Sequence, residues 1–122
     1  MHATSDLEAP TSWATLDGAY RYDLGRRWDP TRPLALFIML NPSTADATSD
    51  DPTKRRCASF ARREGCGGFV AVNLFAHRST DPDALLDVDD PIGERNVEFI
   101  EHWLRATTGP AIAAWGSWWT SL

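Results

Sequence analysis

"LALFIMLNPST" spans residues 34–44, and how it is read decides the fold. Leu34 to Leu40 is an unbroken apolar run of strand length, with no polar residue to mark a solvent face. A strand covered on both sides, as in a parallel sheet carrying helices on either face, has this pattern. The chain then leaves through Asn41-Pro42-Ser43-Thr44 and stays small, polar and acidic as far as Asp51-Pro52. Connections in compact domains usually take about 4–6 residues, so a loop of about a dozen is either disordered or functional. At the carboxyl end of a parallel strand, the functional alternative is a loop that lines a ligand crevice.

Outward from this stretch, a helix is well signalled. Asp51 can cap it, Pro52 suits its first position and Gly65 can end it. Cys57, Phe60 and Ala61 give it a narrow apolar stripe flanked by Arg55, Arg56, Arg62 and Arg63. "GGFVAVNLFA" (67–76) is a second apolar strand, and "STDPDALL" a capped short turn of helix. A further helix covers roughly 93–106, with Val97, Ile100, Trp103 and Leu104 on one face, and "PAIAAWG" is a third strand. Before all of these, "AYRYDLGRRW" (19–28) alternates aromatic and charged residues around Leu24-Gly25 and is expected to form a β-hairpin. The fold expected is α/β: a three-layer sandwich whose parallel sheet has the strand order 2-1-3, with the hairpin along one edge. Residues 1–18 are then a polar leader and 19–122 a single domain.

Composition narrows the function classes. With 43% hydrophobic and 24% charged residues, the chain is an ordinary soluble globular one. Its start, "MHATSDLEAPTSW", has no basic segment leading into an apolar core, and no run is long enough to span a bilayer, so a cytoplasmic protein without membrane attachment is expected. Cys57 and Cys66 are too few and too far apart for a metal cage or a disulfide framework. Neither a metal nor a cofactor is expected. The net charge of −5 argues against general affinity for polyanions. Between Thr53 and Ser79, however, six cations face the single acid Glu64, a local balance of +5 that leaves −10 for the remainder. This basic segment is either a solvated helix face or an anion-facing patch.

The candidate chemistry lies at two strand exits. Asn41 can make a turn of its own or hold a water or a base edge through its amide. Ser43 and Thr44, with Ala45, supply successive N–H groups suited to an anion nest, and Pro42 fixes the turn that presents them. Asp46 is the one carboxylate of the loop without a structural assignment, and it can act as a general base. Asn73, near the end of an apolar strand, must find partners for a buried amide, in loop backbone or in a ligand. Phe75 beyond it could stack on a flat ring, Arg78 could clamp a phosphate, and Arg56 lies beside the buried stripe of the first helix.

The stretches "LNPSTAD" (40–46), "DDPTKRRCASFAR" (50–62), "VNLFAHRSTDP" (72–82), "DDPIGERN" (89–96) and "AAWG" (113–116) follow one another in an order that resembles a bacterial family of domains of unknown function, DUF1643. That family implies no activity. A more distant resemblance is to the uracil-DNA glycosylase superfamily. There, an Asn-Pro motif after the first strand positions water or base, and an Asn ending the second strand reads uracil in some branches. The resemblance implies a water-positioning role for Asn41, a base-reading role for Asn73 and a stacking role for Phe75. Ser43 stands where the glycosylase motif has Gly, and the iron–sulfur cysteines and the late His-Pro loop are absent. On this likeness the domain is expected to lack its last strand and helix.

Three functions follow as expectations. One is hydrolysis of an N-glycosidic bond in a nucleobase-containing substrate, by a water held by Asn41 and Asp46. Another is non-catalytic binding of a nucleotide, a small anion or single-stranded nucleic acid in the same crevice. The last is an inactive truncated fragment.

Overall fold

The computed structural model describes residues 11–42, 47–49, 51–79 and 81–115. Five strands form one mixed sheet: β1 (Thr11–Asp17), β2 (Tyr20–Arg27), β3 (Leu34–Met39), β4 (Gly68–Asn73) and β5 (Ala111–Ala114). Helix α1 (Pro52–Arg63) links β3 to β4. A 3₁₀ helix (Pro82–Asp87) and helix α2 (Asn96–Ala106) link β4 to β5.

The sheet order is β1-β2-β4-β3-β5. This corrects the expected sheet in extent and composition. The sheet has five strands and is mixed, and the first two are hydrogen-bonded into it as antiparallel members. The parallel part runs β4-β3-β5, with Met39 opposite Asn73 on one side and Ala114 on the other. From β3 to β4 the chain steps one way across the sheet, and from β4 to β5 it steps back over β3. Crossovers of one hand must then put their helices on opposite faces. The packing agrees with this. Cys57 and Ala61 of α1 join Ala35, Phe37, Met39, Phe69 and Ala71 in one cluster, while Ile100 and Trp103 of α2 pack against Leu36, Val70 and Val72.

The hairpin is also corrected. Tyr20–Arg27 is one continuous strand, and its partner is Thr11–Asp17, inside the segment expected to be a polar leader. The chain turns at Gly18-Ala19, where Gly18 takes φ +58, a left-handed conformation that a side chain disfavours. Gly25 has a different purpose. A Cβ there would fall inside the ring of Trp13, which lies flat across the strand and stacks on Trp103. Between Thr15 and Leu16 the pairing slips, so that Tyr22 is an extra residue on β2. Such a bulge reverses the alternation beyond it. Tyr22 joins Asp23 on the α2 side, where it stacks on Phe99, and Arg21 is turned toward α1.

The helix signals were informative in part. Asp51 accepts from the Lys54 N–H at 2.9 Å as the cap of α1, and Gly65 follows the helix with φ +75. On α2 the inward stripe is Asn96, Ile100 and Trp103, whereas Val97 and Leu104 are exposed, contrary to expectation. A stripe through Asn96 hides its first position behind a polar residue. Among the described residues, no helix is long and apolar enough to cross a membrane.

Candidate functional site

Asn41 and Asn73 stand at the carboxyl ends of the neighbouring parallel strands β3 and β4. The two exits are tied together by backbone. Leu74 N–H donates to Met39 O and Phe75 N–H to Leu40 O, each at 2.9 Å, and Ser79 N–H reaches Pro42 O at 2.9 Å. Asn41 adds to this seam. Its Nδ2 donates to Ser79 O at 2.8 Å and to Pro42 O at 3.2 Å, so both amide hydrogens hold protein backbone. Pro42 is fully buried beneath the seam.

Asn73 is in a different situation. It is 1% exposed, and neither its Nδ2 nor its Oδ1 has a hydrogen-bond partner. By the alternation of β4 it shares the α1 face with Phe69 and Ala71, beside Met39 of β3. Its backbone is held from the other face, where Asn96 Nδ2 donates to Asn73 O at 2.8 Å and to Leu74 O at 3.2 Å. Leaving a buried amide unpaired costs about 1–3 kcal/mol, and folded proteins retain few such groups. Its backbone is fixed, and its side-chain amide is left unsatisfied by the described residues.

Around it lie charges that have almost no access to water. Lys54, in the first turn of α1, is 3% exposed, and its ammonium rests 3.8 Å from Met39 Sδ. Burial draws its pKa down, the nearby Arg21 guanidinium draws it down further, and Asp51 opposes both. Arg21 is fully buried, and burial lowers it to about 10, with Asp51 acting against that and Arg78 and Arg26 adding to it. Asp51, 8% exposed, is thus the carboxylate felt by both cations. Cys57 lies within the same field. Burial first, with Asp51 adding to it, pushes its thiol up to about 12, so it is inert as a nucleophile. The carboxyl ends of β3 and β4 and the first turn of the twelve-residue α1 therefore gather a buried amide, two buried cations and the carboxylate that opposes both.

The other expected residues divide. Arg78 is half-buried and its charge bears on Arg21, which places it near this group. Arg56 is half-buried and its charge bears on Cys57. Phe75 is half-buried on the β4 exit. Ser43, Thr44 and Asp46 lie outside the described residues. Arg21 and Lys54 were missed by sequence reasoning. Lys54 had a signal, since it stands three residues before Cys57 and so extends the apolar stripe by one turn. Arg21 had none, because its direction depends on the bulge. Among the described residues, no three His, Cys, Asp or Glu side chains gather as metal ligands.

A mixed α/β domain with buried polar groups at the carboxyl ends of its parallel strands is of a class of fold that places ligands at that position. The chain belongs to the DUF1643 family of proteins of unknown function, which it matches over residues 21–122. No curated protein and no solved structure matches it.

Proposed function

We propose that the crevice between the ends of β3 and β4 binds a nucleotide or a closely similar small anion with an amide-edged ring. The observation that carries this is Asn73, buried with both ends of its amide unpaired and set among Arg21, Lys54 and Arg78. A carboxamide offers one acceptor and two donors, the complement of the amide edge of a pyrimidine. The excess of cations over Asp51 suits the charge of a phosphate. Titration of the full chain with nucleoside 5′-monophosphates, followed by calorimetry, tests this. Binding by the wild type and its loss in Asn73→Leu are expected. Equal binding by both proteins would remove Asn73 from the site.

A second reading is hydrolysis of an N-glycosidic bond, as the uracil-DNA glycosylase resemblance implies. What favours it is the fixed amide of Asn41. With Nδ2 committed to Ser79 O and Pro42 O, Oδ1 is the atom left to accept from a water. That water would attack the sugar carbon while the C–N bond breaks and its electron pair leaves with the base. The water's proton needs an acceptor, the role given to Asp46. Release of free base from a uracil-containing single strand, absent in Asn41→Ala, is the result this reading requires.

A further inference from the structure

A second concavity, of about 420 Å³, lies on the α1 side of the sheet where β1, the end of β2 and the outer face of α1 meet. Arg26 and Arg27 at the end of β2 and Arg55 and Arg62 of α1 line it, together with Trp28 and the small residues Ala58 and Ser59. Among the described residues that line it, none is acidic. In a chain of net charge −5, four arginines among the residues that line one cleft are not an average of the surface. Among the described residues, Arg27, Arg55 and Arg62 form no ion pair, whereas Arg32, Arg63, Arg95 and Arg105 each have a carboxylate within 4 Å. The cleft therefore gathers three arginines that form no ion pair among the described residues, beside Arg26.

Two of its members are held in place. The Arg62 guanidinium lies 4.0 Å over the Trp28 ring, a cation–π contact that orients its free edge. Arg26 donates to Gly25 O at 2.9 Å and reaches toward Ser49 O, two residues before the Asp51 cap of α1, at 3.5 Å. The charge of Arg26 is also felt by both Arg21 and Lys54. Arg26 thus stands between the crevice and the cleft. From Arg55 to Arg62 along α1 is about 10 Å at the helical rise, so the arginines form a row and not a point.

We propose that this cleft is the track of a single-stranded nucleic acid, taking the phosphates next to the nucleotide whose base lies in the crevice. Paired, planar donors in a row match successive phosphodiesters, and a flexible single strand can follow such a row into a concavity of about 420 Å³. The inference rests on the crevice reading for the position of the base, but not for the binding of the phosphates.

Full-length protein is titrated with a mononucleotide, a dinucleotide and a tetranucleotide of single-stranded DNA, with tripolyphosphate and with a short duplex, at several salt concentrations. Affinity should rise from mononucleotide to tetranucleotide. Its logarithm should fall with that of salt by about 0.7 for each phosphate engaged. Arg62→Ala and Arg55→Ala should each weaken tetranucleotide binding by about tenfold and flatten the salt slope, with mononucleotide binding unchanged. Both side chains are exposed, so the fold should survive, and Arg62→Lys should recover part of the loss. Arg105→Ala, on the opposite face, should match the wild type. A tetranucleotide that binds no tighter than a mononucleotide overturns the proposal and leaves the crevice reading intact. Equal affinity for tripolyphosphate or duplex overturns the assignment to a single strand. Tetranucleotide binding that depends on Arg62 but is indifferent to Asn73→Leu supports the cleft and removes the base from the crevice.

Discussion

The two faces of the sheet bury polar side chains of similar kind under opposite terms. On the α2 face Asp23 is 4% exposed, and its carboxylate accepts from Thr15 N–H at 3.2 Å and from Trp103 Nε1 at 2.9 Å. Trp13, Trp103, Tyr22 and Phe99 stack around it. On the α1 face Asn73 is buried more deeply and bonded to nothing through its side chain, with cations for neighbours. A buried polar group that satisfies a structural donor stabilises the fold. One that is left unpaired in a cationic crevice costs stability and points to a ligand.

The largest effect that could break this contrast is at Asp51. It caps α1 and opposes the charges of both Arg21 and Lys54. Asp51→Ala should lower stability by about 3–5 kcal/mol, the range for leaving buried charge without its partner. Urea denaturation would measure it. A loss of about 1 kcal/mol, the usual worth of a cap alone, would mean the cations are adequately solvated without it.

Next is the direct comparison of Asp23 with Asn73. Asp23→Ala strands the indole N–H of Trp103 and should cost about 1–3 kcal/mol. Asn73→Leu removes an unsatisfied amide and should raise stability by up to about 1–3 kcal/mol, while nucleotide binding is lost. Opposite signs in the two melts would confirm the contrast. Destabilisation by both would make Asn73 a structural residue with a partner of its own.

Much of this was legible in the sequence, and for physical reasons. Strands β3 and β4 are apolar throughout because both their faces are covered, and α1 carries its cap and its Pro in the first turn. Both asparagines stood out because a polar side chain at the end of such a strand needs an explanation. The hairpin was misplaced because Gly25 was read as a turn residue, whereas its missing Cβ admits the Trp13 ring. Thr11–Asp17 is half-buried at best, so its polarity resembled that of a leader. Arg21 could not be found, since one residue of bulge decides which face it takes. The cleft of arginines draws on β1, β2 and α1, which approach one another only in the folded chain.

Asn96 sits on the border between the two faces. It opens α2, yet its amide holds the carbonyls of Asn73 and Leu74. Asn96→Ala should cost about 1–2 kcal/mol for the two acceptors left without a donor. If it positions the β4 exit, nucleotide affinity should fall severalfold in the same protein, although Asn96 lies on the far side of the sheet. Unchanged affinity alongside reduced stability would confine its role to the fold.

The smallest effect is a difference between two pH profiles, and it isolates the burial of Lys54. Burial holds its pKa below the ordinary lysine value of 10.5. Between the depressed value and 10.5 the unfolded chain binds the more protons, so the contribution of Lys54 to stability rises with pH across that window. The penalty of burying the charge is therefore fullest at neutral pH and fades as pH approaches 10.5. Arg21, lowered to about 10, acts in the same direction from that value upward. Cys57, raised to about 12 from 9.0, acts in the opposite direction from about pH 9 upward, because the folded state then holds a proton that the unfolded chain releases. The wild-type profile mixes all three with the raised Cys66 and Tyr20, and Lys54→Met isolates the lysine below about pH 9, before the thiols titrate. Lys54→Met should be more stable than the wild type at pH 7, with an advantage that shrinks as pH rises toward 10.5, measured by urea melts at each pH. An advantage that grew with pH would mean that Lys54 is stabilised as a cation by its surroundings, and the crevice would then have no surplus charge to offer a phosphate.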